Sequence, residues 1–240
     1  MKIEITDEIR NICPDFIGAA LTATITNTEY DAELWEEIRS EEERIRTHNL
    51  DYIRGMESIQ STRAAYKAMG KDPSRYRPAA ESLIRRVLKN QELYQINTAV
   101  DLINLASMTT GYSIGGFDSD KIIGDIALGV GRADEPYEGI GRGILNIEGL
   151  PVYRDQIGGF GTPTSDHERT KLSLDTRHTT VLINGYDGNR SGVQACAEMI
   201  ANLFIKYTKT TDYEIQEMFL GIALHLAMNE GSDRMGWVKR

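Results

Sequence analysis

Between Lys71 and Lys89 the chain carries six basic residues, Lys71, Arg75, Arg77, Arg85, Arg86 and Lys89, against only Asp72 and Glu81. Side chains of this type, clustered on one short stretch, can contact the phosphates of a nucleic acid. The same pattern also describes an ordinary solvated helix face. Just beyond lies Asn104, a polar amide in the middle of the apolar run AVDLINLASM. An amide there costs free energy unless it is hydrogen-bonded, so it is either tied to a neighbouring loop or lines a pocket. Gly111, Gly115 and Gly116 follow and allow a close approach of backbone to another strand or to a ligand.

These residues need elements to hold them. Pro78 suits the first position of a helix AAESLIRRVLKN, with Leu83, Ile84, Val87 and Leu88 inward and Arg85, Arg86 and Lys89 outward. Asn97 or Thr98 caps the next helix, which carries Asn104. Upstream, KIEI reads as a short strand, Asp7 as a helix cap, and residues 16–26 as a buried strand. Asp31 opens a long helical region that breaks near residues 47–49 and ends at Gly70. Its Glu41-Glu42-Glu43 run followed by Arg44 and Arg46 reads as a solvated face. From Lys121 the texture is β, with short turns that predict a mostly antiparallel sheet. Residues 190–209 form a helix pattern; beyond Asp212 either a strand or a helix fits, and the tail GSDRMGWVKR reads as loosely held. The fold class is α+β. The organisation expected is a single unit over 1–240, with a core at about 60–190, a strand–helix extension over 1–60 and a C-terminal helical part over 190–240.

Composition narrows the functions. The net charge of −9 is wrong for a protein that holds nucleic acid through a general basic field, so RNA binding would need a local patch. No apolar run reaches bilayer length, and the N-terminal MKIEITDEIRNI is acidic where a secretory signal is apolar. A cytoplasmic location is the default expectation, without membrane or DNA partners. Cys13 and Cys196 are far apart and read as small buried residues, and the four histidines form no metal-ligand pattern. No metal or other cofactor is expected. The glycines compose neither a P-loop nor a dinucleotide turn, and VGRADEPYEGIGRGI reads as a hairpin loop. Two further candidates stand in the second half. The loop Asp166, His167, Glu168, Arg169, Thr170 is either a polar surface loop or part of a pocket, and His178 lies in an alternating strand pattern.

The segments RYRPAAESLIRRVL, INTAVDLINLASMTTGYSIGGFDSDKIIGDI and RTKLSLDTRHTTVLI resemble the B3/B4 domain, the tRNA-binding and editing module of the phenylalanyl-tRNA synthetase β subunit. The likeness runs over about residues 3–185 and is closest to free-standing relatives of about this length. It implies an α+β domain with a cleft between helices and an antiparallel sheet. In the synthetase that cleft receives a tRNA end wrongly charged with tyrosine and hydrolyses the ester, without metal or covalent nucleophile. Asn104 matches the asparagine of the family's TN segment, and Ile157–Gly161 matches its glycine-rich approach to a strand. A family histidine is replaced by Gly115, and no acid stands at residues 182–184, where the reader of the tyrosine hydroxyl belongs. Tyrosine specificity is therefore not carried over.

The expectation is a trans-acting deacylase of mischarged aminoacyl-tRNA. Asn104, His167 and Thr170 are its catalytic candidates. Gly115, Gly116, Gly158, Gly159, Phe160 and Gly161 are its substrate-binding candidates, and Arg75, Arg77, Arg85 and Arg86 would guide the acceptor end. The alternatives are a non-catalytic module for tRNA or an amino-acid-like ligand, and a hydrolase of an unrelated small molecule.

Overall fold

A computed structural model describes the backbone of residues 1–219, 224–228 and 236–239 and the side chains to residue 218. Its frame is a six-stranded antiparallel sheet. In spatial order this comprises β12 (Gly236–Lys239), β11 (Leu224–Met228), β10 (Tyr213–Phe219), β2 (Ile17–Thr24), β9 (His178–Gly185) and β3 (Ser113–Asp118). A second sheet of four strands runs β1 (Ile3–Ile5), β4 (Ile126–Val130), β7 (Pro151–Arg154), β8 (Gly159–Gly161). The β1–β4 pair is parallel. The sheet expected from the turn pattern is thus two sheets, one of them mixed, because β1 pairs with a strand more than a hundred residues away that no local turn announces. Glu138–Gly139 (β5) and Gly143–Ile144 (β6) make a separate hairpin, as their glycines predict.

The layering follows from period-2 alternation on β2 and β9. Ala19, Leu21 and Ala23, with Val181 and Ile183, face a core shared with helices α2 (Ala32–Arg46), α5 (Ala79–Leu88), α6 (Thr98–Thr110) and α7 (Arg190–Thr208). Ala20 and Leu182 point the other way, into a core with Phe16, Phe117, Tyr153 and Phe160 from the side of the smaller sheet. Both faces of β9 are covered, which is why its sequence is a nearly unbroken apolar and threonine run. The first helix, α1 (Asp7–Ile12), is capped by Thr6 in place of Asp7, since the Thr6 hydroxyl accepts from the Ile9 N–H. Pro78 is the N-cap of α5 and not its first turn.

The helical region after Asp31 breaks near residues 47–49 as expected, but a second break at residues 55–56 leaves a single turn α3 (Asp51–Arg54) before α4 (Glu57–Ala68). Glu42 corrects the reading of a wholly solvated face. It is buried, accepting from the Leu93 N–H at 3.1 Å and pairing with Arg46 at 3.0 Å. Only the second half of TKLSLDTRHTTVLING is strand, because residues 171–177 cross to β9 without a ladder of their own. Past Asp212 the strand alternative holds, as β10 pairs along β2. Of the tail, residues 231–235 and 240 lie outside the described residues, while 236–239 pair with β11. Cys13 and Cys196 are free and buried, and burial pushes their thiols up to about 11 and about 12.

The third, smaller core is Tyr66, Tyr137, Ile147, Leu150 and Val152, beneath the loop that joins β6 to β7. That loop is stitched to Gly131, which donates to the Leu150 carbonyl at 2.7 Å and accepts from Gly149 at 3.0 Å. A Cβ at Gly131 would overlap the Ile147 carbonyl oxygen. Gly131→Ala is therefore expected to destabilise the protein by about 1–3 kcal/mol, read from the urea midpoint. An unchanged midpoint would refute the close approach.

Candidate functional site

The site starts from an acid. On α5, Ala80, Ile84 and Val87 enter the core, and so does Glu81, with 0% of its surface exposed. A buried carboxylate requires compensation by charge and hydrogen bonds. Glu81 accepts from Arg63 Nη1 of α4 at 2.8 Å and from Arg85 Nε at 2.7 Å, and Arg77 Nε lies at 3.6 Å. One carboxylate thus anchors three guanidiniums at fixed positions. Arg77 Nε is itself buried and has no hydrogen-bond partner among the described residues.

Above this cluster lies an open groove of about 440 Å³. It is lined by Arg77, Arg85, Arg86, Lys89 and Arg142, together with Asn104, Thr164 and Tyr94. A second, smaller pocket of about 150 Å³ shares Arg142 and Thr164 with it and adds Arg75 and Tyr76. Together the two are lined by Arg75, Arg77, Arg85, Arg86, Lys89 and Arg142, and by no aspartate or glutamate among the described residues. The chain as a whole carries a net charge of −9, so this clustering of cations is local.

Several of the lining groups are held from behind. Asn97 caps α6 by accepting from the Val100 N–H, which places Asn104 two turns along. Asn104 is half-buried, and its amide bonds to no described residue, so its donors and acceptor remain for a ligand. Residues 91–96 form no helix or strand and are fastened at three points: Arg86 Nε donates to the Glu92 carbonyl at 2.5 Å, Leu93 N–H to Glu42, and Ile96 N–H to Asp101 at 3.0 Å. This presents Tyr94, 67% exposed, with the Arg86 guanidinium 3.9 Å from its ring centre. Such an aromatic–arginine pair is a platform on which a base can stack. The loop carrying Thr164 is held to α5 by the Ala79 N–H on the Pro163 carbonyl, at 2.8 Å.

The remaining candidates gather elsewhere. Gly115 and Gly116 lie in β3, where a Cβ would come within 2.5 Å of the Phe117 ring and of Ile103 respectively. Gly161 abuts the same ring at 2.5 Å, and Phe160 packs edge-on against it, so these residues set the spacing between sheets. Gly158, at φ +150°, turns the chain into β8 where a side chain would be strained. Asp155 fixes that turn by accepting from Arg169 in two bonds of 3.0 Å and from the N–H groups of Ile123, Ile157 and Gly158. Burial would raise the Asp155 carboxyl, but Arg169 and these donors outweigh it and hold it below the usual range.

His167 Nδ1 accepts from the Arg169 N–H at 2.9 Å, which leaves the ring proton on Nε2. Burial, with Arg169 alongside, holds the ring below its ordinary value. Thr170 is fully buried and its hydroxyl has no partner among the described residues. Neither residue lines the arginine groove or its side pocket. His178 is exposed, 3.0 Å from Asp120. No group of three or more possible metal ligands occurs among the described residues, and no helix there is long and apolar enough to cross a membrane.

A family model described as B3/4 domain matches residues 61–226. The chain belongs to the B3/4 domain family. The N-terminal fragment of the phenylalanyl-tRNA synthetase β subunit from Pyrococcus horikoshii has a similar fold, with TM-score 0.51 at 13% identity, covering 93% of this chain and 53% of that one. The chain thus spans about half of the fragment it resembles. A further match, to the ribonucleoside-diphosphate reductase subunit alpha of Treponema pallidum, is 88% identical over 25 residues, 10% of this chain and 3% of the reductase.

Within this B3/4 fold, sequence reasoning missed Arg142, Tyr94 and the role of Glu81. Arg142 stands in a hairpin turn between Gly141 and Gly143, and Tyr94 in a segment without periodicity. Both enter the groove only through tertiary placement. Asp166, one of the loop candidates singled out in the sequence, lies beside Gly115 of β3. The residue is half-buried, but its Oδ1 would sit 3.0 Å from a Cβ at Gly115. Burial raises its carboxyl to about 8, opposed by the Gly116 N–H. The folded protein then keeps a proton that the unfolded chain, titrating near pH ~4, has lost. Stability should fall as pH rises from about 4 to about 8, and Asp166→Asn should flatten that slope. Urea unfolding across this range checks it; equal slopes for both proteins would contradict the enclosed carboxyl.

Proposed function

We propose that this chain binds the acceptor end of tRNA in the arginine groove and hydrolyses the ester of a wrongly attached amino acid. The observation that carries the reading is the groove with its side pocket: six cations, two tyrosines and no lining acid among the described residues, on a protein of net charge −9. A single strand tracks such a groove by its phosphates and stacks on the aromatic rings. Asn104 is the free amide that would hold the ester carbonyl or the attacking water, positioning without metal or covalent nucleophile.

Binding should be salt-dependent. The logarithm of affinity is expected to fall with the logarithm of salt at a slope of about −0.7 per phosphate contacted. Arg85→Ala and Arg86→Ala should each lower that slope by roughly one unit at most. Filter binding of uncharged tRNA across a potassium chloride series measures this, and a flat salt response would remove every RNA reading.

Hydrolysis is tested with a panel of mischarged tRNAs. The matching one should be cleared faster than in buffer, and Asn104→Ala should slow clearance about a hundredfold while leaving tRNA binding in place. A specific observation favours a second reading, a module that binds without catalysis. His167 offers no free lone pair and the Thr170 hydroxyl is enclosed, so Asn104 is the one catalytic candidate that faces the groove. Salt-dependent binding with no clearance of any charged tRNA would select that reading.

A further inference from the structure

The side pocket off the groove holds about 150 Å³, and its polar lining falls into two sets. The threonines are engaged inside the fold. The Thr162 hydroxyl donates to the Ser165 carbonyl and accepts from the N–H groups of Thr164 and Ser165, and the Thr164 hydroxyl shares a bond of 2.9 Å with Tyr66. The other four polar side chains have donors left over. Asn146 Oδ1 accepts from the Glu148 N–H at 2.9 Å, which orients the amide and leaves its nitrogen without a partner among the described residues. The Tyr76 hydroxyl and the guanidiniums of Arg75 and Arg142 likewise make no hydrogen bond or ion pair there.

Lys71 holds this set in place from behind. Its buried ammonium donates to the Asn146 and Glu148 carbonyls at 3.0 and 2.5 Å and stands 3.9 Å from the Tyr76 ring centre. No aspartate or glutamate lines the pocket among the described residues, and its floor of Leu145, Ile147 and Leu150 supplies no side-chain acceptor. Free donors under two permanent positive charges suit an oxyanion. Size and valence narrow the class. A cavity of roughly 150 Å³ is filled by a benzene-sized group, so it admits one tetrahedral anion and excludes a nucleoside. A phosphate monoester brings three terminal oxygens and a charge of about −1.5 to −2 near neutral pH, enough to engage both guanidiniums, the phenol and the amide. A carboxylate offers two oxygens and one charge.

We propose that the side pocket is a binding site for a single phosphate monoester group, held by Arg75, Tyr76, Arg142 and the Asn146 amide. The site stands on these donors whether or not the groove carries RNA. Because the pocket shares Arg142 and Thr164 with the groove, the phosphate can come from a small phosphorylated molecule or from the end of an RNA.

Titration calorimetry of the full chain at low ionic strength tests the site, with inorganic phosphate, methyl phosphate, dimethyl phosphate and acetate as probes. The first two should bind about tenfold or more tighter than dimethyl phosphate and acetate. Asn146→Asp keeps the oxygen that accepts from Glu148 and replaces the free donors with a negative oxygen. It should weaken methyl phosphate about tenfold or more at an unchanged urea midpoint. Tyr76→Phe, which removes only a hydroxyl, should weaken it about fivefold and decides the matter if the first variant does not fold. Arg54→Gln, removing an exposed cation elsewhere, should leave it within about twofold. Methyl phosphate that binds no tighter than acetate, or that neither pocket variant weakens, overturns the proposal. An RNA minihelix bearing a 5′-monophosphate, set against its 5′-hydroxyl form, then separates the sources. Tighter binding of the phosphorylated form, lost in Asn146→Asp, supports the site with an RNA end in it; equal binding of the two forms, with methyl phosphate still bound, supports it with a small phosphorylated molecule.

Discussion

The surface of this protein depends on one buried charge. Glu81 is in the core by the register of α5, and no solvent reaches it. Removing a carboxylate from water is tolerable only with cationic partners in place, and breaking such a cluster costs far more than forming it gains. Arg63, Arg77 and Arg85 are therefore not free to wander as exposed arginines do. Two of them line the groove. Their side-chain entropy is lost on folding and need not be lost again when an anion arrives, which is the physical content of preorganisation.

The rest of the architecture serves that arrangement. The six-stranded sheet is covered by helices on one face and by the smaller sheet on the other, so α5 and α6 are pressed into place from a single hydrophobic core. The groove forms where α5 and α6 meet the loop through Thr164 and the hairpin through Arg142. The Asp155–Arg169 pair performs a parallel task on the other side. It saturates one carboxylate with an arginine and three backbone donors, and so holds the turn before β8 in one shape. The glycines of β3 and β8 then let two aromatic rings fill the gap between sheets.

Much of this was legible in the chain, but unevenly. The apolar face of α5 and the break near residues 47–49 follow from local periodicity, and the structure has both. Asn104 stood out because an amide on an apolar face needs a reason, and the reason is a groove. His167 and Thr170 looked equally suitable as residue types. Their burial and hydrogen bonds, which residue type does not encode, turn them away from that groove. Glu42 read as part of a solvated face, and Glu81 lay in a stretch for which a solvated face was one reading, yet both are buried. An i,i+4 pair looks the same in sequence whether its acid faces water or the neighbouring helix.

The sequence by itself determined most element types up to Asp212, the α+β class and the local excess of positive charge, because these depend on neighbours within a few residues. Tertiary structure alone decided that Glu81 would face Arg63, that Tyr94 would stack on Arg86, and that Arg142 would arrive from a hairpin more than fifty residues away. Those contacts join residues with no periodic relation, so no pattern along the chain carries them. They arise when two sheets and a helical layer close on the cores between them, and the groove is the space that closure leaves.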